Sequence, residues 1–183
     1  MKNEKKKLPS ILKLKKLADK IWSSKVDAIW GSKCAVCGAT DNLNSHHIEP
    51  RTANAAIRWE QFNGIRLCVT HHKYGKDAAH KSCIFFYEFL FQNAPSLIET
   101  IRPLRSFEIS AQKINREQIT LIISYLWSDL TKEDEKILKG FSIEEINKKW
   151  NLNKGKIKLT IWEKDFLKET IEMNEIFWRE QPF

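Results

Sequence analysis

Apolar residues recur at three- and four-residue steps from Ile11 through Leu14, Leu17, Ile21, Trp22, Val26 and Ile29 to Trp30. This spacing predicts an amphipathic helix from about Ser10, its N-cap after Pro9, to about Trp30, with its lysines facing solvent or DNA. From Gly31 to about Gly75 the periodicity collapses, and Cys, His, Asn and Gly dominate. Within that stretch Leu43–Ile48 and Ile65–Val69 are the predicted strands, and a helix is expected to begin near Thr70. Residues 81–93 (KSCIFFYEFLFQN) read as a buried, aromatic-rich helix. Pro95 and Ser96 restart the chain for a short helix that Pro103 is expected to end. After a connector at about 103–113, helices are predicted over 115–128, 131–139 and 142–150, with a longer one over 154–178.

Composition changes this picture in two ways. The 183 residues carry a net charge of +8, and the excess sits at the N-terminus. Residues 1–33 hold ten lysines against Glu4, Asp19 and Asp27, whereas residues 129–183 are close to neutral. Such an arm can neutralise phosphates and release counterions, or simply solubilise the chain. Lys13, Lys16 and Lys20 are the candidate phosphate contacts. No apolar run approaches the roughly 18–20 residues that span a bilayer, and residues 2–9 show no signal-peptide pattern. A cytoplasmic protein without a membrane partner is expected.

The irregular segment cannot bury much apolar area by itself, and metal binding is the usual substitute. Cys34-x-x-Cys37 and Cys68-x-x-His71 are two knuckles, each aiming two ligands at one point, with Gly38 at the turn. They predict a structural Zn²⁺ held by Cys34, Cys37, Cys68 and His71. Two alternatives stand beside this reading: a redox pair of Cys34 and Cys37, and Cys83 as fourth ligand in place of His71.

Inside the loop that zinc would close lie His46-His47-Ile48-Glu49-Pro50-Arg51 and Asn63-Gly64-Ile65-Arg66-Leu67-Cys68, followed by His71-His72. Over residues 34–80 this resembles the HNH nuclease family, and with the basic N-terminal helix and Ala79-His80 most of all its phage NinG-like branch. The resemblance implies an α+β fold with a zinc-knuckle ββα-metal core. It implies His46 and His72 as ligands of a catalytic divalent ion, His47 as general base and Asn63 as the residue orienting that base. His46 stands where many members have Asp, so Mn²⁺ or Ni²⁺ is expected to serve as well as Mg²⁺. Adjacent side chains of a regular strand face opposite ways, so His46 and His47 cannot both meet one ion unless the backbone twists there. His80 is a further candidate, either at the metal or as a helix cap. Arg51 and Arg66 suit the neighbourhood of a scissile phosphate or a surface ion pair.

Three parts are expected: a basic helix and arm (1–33), the HNH core with the aromatic helix (34–102), and a helical region (103–183). In the last, Phe141 to Lys158 is similar to a helix-turn-helix, with Asn151-Leu152-Asn153 as turn and Lys154–Ile161 as recognition helix. A packing or oligomerisation module is nonetheless the favoured reading, because Gly155 interrupts the recognition segment and the region is slightly acidic overall, with Trp127, Trp150, Trp162, Phe166, Phe177 and Trp178 as core or interface. The functional expectation is a metal-dependent DNA endonuclease, phage-borne in a bacterial host, acting in recombination or DNA processing as a monomer or homodimer. A non-catalytic zinc-knuckle DNA-binding or regulatory protein is the alternative.

Overall fold

A computed structural model describes residues 9–50, 57–106 and 114–179; the side chains of 104–106 and 172–179 lie outside the description. Arg51, the connector over 107–113, and the Phe177 and Trp178 side chains therefore fall outside it. The architecture is mixed α+β and mostly helical, with one small two-stranded sheet.

Helix α1 (Ile11–Ile29) starts where its sequence says: the Ser10 hydroxyl accepts from the Lys13 N–H. It is buried on more than one side, with Leu14, Leu17, Ile21, Trp22, Val26 and Ile29 in the core. One flank meets the sheet and the other meets α4 (Arg116–Trp127) and α5 (Ile143–Lys156). A single buried cluster runs through all three expected parts of the chain. Two lysines of α1 are taken up by the protein itself. Lys25 is wholly buried and donates to the Ser128 carbonyl at 2.7 Å; Lys20 pairs with Glu163 at 2.8 Å.

The sheet is an antiparallel ribbon of β1 (Leu43–His47) and β2 (Gly64–Cys68), with His46 opposite Ile65 and His47 opposite Gly64. A Cβ at Gly64 would overlap Val26 and lie 2.9 Å from the Trp22 ring. Only glycine lets α1 lie this close to the ribbon, and Trp30 Nε1 seals the contact by donating to the Gly64 carbonyl at 2.9 Å.

Several expected elements differ in form. The helix expected near Thr70 is one wide turn, Thr70–Tyr74, closed by Gly75 N–H to the Thr70 carbonyl. Helix α2 (Cys83–Asn93) starts after Ser82, whose hydroxyl caps it, so His80 is not its cap. It is not buried all round: Phe86 and Leu90 face inward, whereas Ile84 and Phe91 are 71% and 52% exposed. Helix α3 (Pro95–Ser106) continues past Pro103, whose missing N–H falls within its last turns. The helix expected over 131–139 is a single tight turn, Lys132–Lys136, boxed by Thr131 and Asp134.

The alternative reading of a helix-turn-helix is not met. Asn151, Leu152 and Asn153 are interior to α5, and the chain breaks instead between Lys156 and α6 (Ile161–Arg179). Buried Ile143, Ile146 and Trp150 hold α5 along one face. Asn153 is bound to the Ser24 carbonyl and Asp27, and Lys154 to Asp129 at 2.8 Å, so the helix runs on. Trp150 is core and Trp127, Trp162 and Phe166 pack against it. Among the described residues no helix is long and apolar enough to cross a membrane.

Two stability predictions follow from these contacts. Gly64→Ala forces α1 off the ribbon and should cost about 1–3 kcal/mol in urea unfolding. Burial, with Lys154 nearby, pushes Lys25 down to about 7 against the pull of Asp134, Asp129 and Glu60. The unfolded chain then holds a proton that the folded chain has lost, so this group makes stability rise from about pH 7 toward 10. Lys25→Met should flatten that rise relative to wild type in unfolding measured across the same range.

Candidate metal centres

The two knuckles converge. Cys34, Cys37, Cys68 and His71 each offer an atom within 4.8 Å of the others. Cys37 and Cys68 Sγ stand 3.9 Å apart, and His71 Nδ1 lies 3.7 Å from Cys34 Sγ and 3.2 Å from Cys68 Sγ. Ligands at tetrahedral zinc distances stand about 3.6–3.8 Å apart, so this set fits a zinc ion. The knuckle turn is built for it: Gly38 has φ +74°, its N–H bonds the Cys34 carbonyl, and Cys34 N–H bonds Ala39. Burial raises the Cys34 thiol, but N–H groups of Cys68, Cys37 and Val36 outweigh it and hold the thiol below its ordinary value. Cys83 is exposed at the start of α2 and belongs to neither cluster. His71 fills the fourth position, as the spacing predicted.

His46 and His47 point to opposite faces, as a regular strand requires. On one face His46 joins His72 and His80, with ring centroids 4.8–5.1 Å apart. Their ligand atoms also lie within 4.8 Å of one another. His80 reaches this cluster because its loop folds back, with the Ala79 and His80 N–H groups bonding the His71 and His72 carbonyls. Its Nε2 is 3.1 Å from His72 Nε2. Two nitrogens on one ion at about 2.1 Å, at octahedral or tetrahedral angles, stand about 3.0–3.4 Å apart. Burial, then the imidazoles of His72, His80 and His47, pushes His46 down to about 3. Burial, with His80 and Lys73, pushes His72 down to about 4. Both rings are therefore neutral, with lone pairs to offer, at neutral pH.

On the other face His47 stacks on Trp22, centroids 3.9 Å apart and planes within 10°. Its Nε2 lies 2.9 Å from the Arg58 carbonyl. A carbonyl can only accept, so Nε2 carries a proton, and in the neutral ring the lone pair falls on Nδ1. His46, His47, His72 and His80 line one open cleft with Asp19, Trp22 and Lys73.

Asn63 departs from the role expected of it. Its buried amide accepts from Glu49 N–H at 2.8 Å and donates to the Glu49 and Ile57 carbonyls at 3.1 and 3.0 Å. It staples the two ends of the segment between the strands and does not meet His47; the backbone of Arg58 does. Arg66 is also redirected: it pairs with Asp27 at 2.9 Å and donates to Ser45 at 2.9 Å. Lys13 and Lys16 are exposed, Lys13 over the Trp162 ring, while Lys20 is taken up by Glu163.

Trp22, Asp19 and Arg58 were not singled out from the sequence. Trp22 read as one more core residue of an apolar stripe. The signal for Asp19 was present: it and Asp27 are the acids of an otherwise basic helix, and Asp19 takes Arg58 from the segment between the strands as Asp27 takes Arg66 from β2. A scan against protein-family models, a search of curated proteins and a search of solved structures each found no match.

The zinc fit predicts one tightly held zinc per chain by elemental analysis. Cys68→Ser or His71→Ala should lose it, whereas Cys83→Ala should keep it.

Proposed function

We propose that this chain is a metal-dependent DNA endonuclease of the HNH (ββα-metal) type. The observation that carries the reading is one cleft into which three clustered imidazoles and a separately held, carbonyl-anchored histidine converge. Hydrolysis of a phosphodiester needs a base near neutral pH beside a site for the phosphate. His47, with its lone pair on Nδ1, is the base in this reading, and Trp22 and the Arg58 carbonyl keep its ring from turning. A divalent ion held by His46, His72 and His80 would polarise the phosphate and offset charge on the leaving oxygen. Three nitrogen ligands favour Mn²⁺ or Ni²⁺ over Mg²⁺, which prefers oxygen.

Lys73 is the cation lining the cleft among the described residues, and it is exposed. It takes the phosphate-pairing role that the sequence suggested for Arg66. Lys13 and Lys16 extend the basic surface along α1. The structural zinc would fix the turn from which His71 and His72 depart in two directions. The setting we propose rests on the resemblance alone: a phage-encoded enzyme in a bacterial cytoplasm, acting in DNA recombination or processing. A homodimer would bring one centre to each strand.

Supercoiled plasmid tests this. Wild type should nick it with Mn²⁺ or Ni²⁺ and more slowly with Mg²⁺, and His47→Ala should lower the rate at least about 100-fold. Lys73→Gln should weaken DNA binding and reduce its salt slope by about one. If wild type binds DNA but nicks no faster than His47→Ala, the zinc-knuckle binding protein is the better reading.

A further inference from the structure

The segment that holds His47 is itself held from helix α1. Asp19 accepts from Arg58 at both carboxylate oxygens, Nε to Oδ1 at 3.1 Å and Nη2 to Oδ2 at 2.7 Å. The same Oδ1 accepts from the Trp59 indole at 2.8 Å. One turn further along α1, Trp22 Nε1 donates to the Glu60 carbonyl at 2.9 Å while its ring lies flat on His47. The turn Ile57–Trp59 and the Glu60 that follows it are thus gripped from α1 at three successive residues, Arg58, Trp59 and Glu60, while Asn63 fixes the Ile57 carbonyl. Its Arg58 carbonyl is the atom that accepts the hydrogen bond from His47 Nε2.

We infer that Asp19 is a positioning residue for His47, acting through the Arg58 backbone. Asp19 lines the cleft, where a bare negative charge would repel a phosphodiester. The bidentate guanidinium neutralises that charge and turns it into a brace. Without the brace the Ile57–Trp59 turn keeps its Asn63 staple but loses the grip that sets the Arg58 carbonyl, so His47 can rotate about its side-chain bonds. Helix α1, expected as a DNA-binding arm, therefore supplies two parts of the catalytic geometry: a stacking surface and an anchor. Orientation of this kind acts on turnover rather than on substrate affinity.

The inference rests on the nuclease reading for its kinetic test alone, because the hydrogen bond can be followed without catalysis. Zinc-loaded protein labelled with ¹⁵N at histidine should show a slowly exchanging His47 Nε2–H signal, assigned by its loss in His47→Gln. In Asp19→Ala and Arg58→Met the signal should broaden or vanish. In the plasmid assay kcat should fall about 10- to 100-fold, with KM within about twofold and zinc content unchanged. Asp19→Glu should recover the signal and most of kcat. Should Asp19→Ala fail to fold by circular dichroism, Arg58→Met and Asp19→Asn carry the comparison. The inference is overturned if Arg58→Met and Asp19→Asn both leave signal and kcat at wild type. It is equally overturned if the loss falls on KM alone or if Asp19→Glu does no better than Asp19→Ala. Should wild type fail to cut DNA, the nuclease reading fails while the signal still decides whether Asp19 holds His47.

Discussion

The close approach of helix α1 to the ribbon at Gly64 is the contact on which the rest of the molecule depends. With no side chain there, Trp22 and Val26 settle onto β2 and Trp30 bonds the Gly64 carbonyl. His47 lies directly across the ribbon from this glycine, so the same gap that admits the helix admits the Trp22 ring against the imidazole. Apolar burial on the far side of α1, against α4 and α5, then loads the helix onto the ribbon from behind. Packing and site geometry share one set of atoms.

The ribbon divides labour by its pleat. Successive residues of β1 face opposite ways, so one histidine joins an imidazole cluster and the next meets the helix. No bulge is needed, because the cleft opens past the end of β1 and reaches both faces. The irregular Thr70–Tyr74 turn makes the corresponding division on the other side, sending His71 to the sulfur cluster and His72 to the nitrogen cluster.

Much of this was legible in the sequence, and the reasons differ by element. The Ser10 cap and the apolar steps gave α1 almost to the residue, because propensity, cap and burial agree there. The knuckle spacings brought Cys34, Cys37, Cys68 and His71 together, since two-residue gaps leave little freedom. Alternation on a strand foretold the parting of His46 and His47. What failed were inferences that need the third dimension. Asn63 could not be told from a histidine partner, because its bonds go to backbone atoms that carry no sequence identity. Arg66 was open to a phosphate or an ion pair, and only the fold puts Asp27 beside it to decide for the pair. The break expected at Asn151 gave way to Trp150 packing, which carries α5 beyond the point where asparagines suggest a turn. His80 lies eight residues from His72 in a loop without periodicity, and only the folded-back backbone shows them to be neighbours.

The wide Thr70–Tyr74 turn has one more consequence. His71 and His72 are joined by a single peptide bond yet serve different clusters, so order imposed on that turn by an ion at one cluster is shared with the other. Binding at the two would then be thermodynamically linked and reciprocal: occupation of the sulfur cluster raises the affinity of the imidazole cluster, and the reverse holds by the same factor. With an ion in each cluster, loading would be cooperative, and loss of the first ion would weaken the hold on the second.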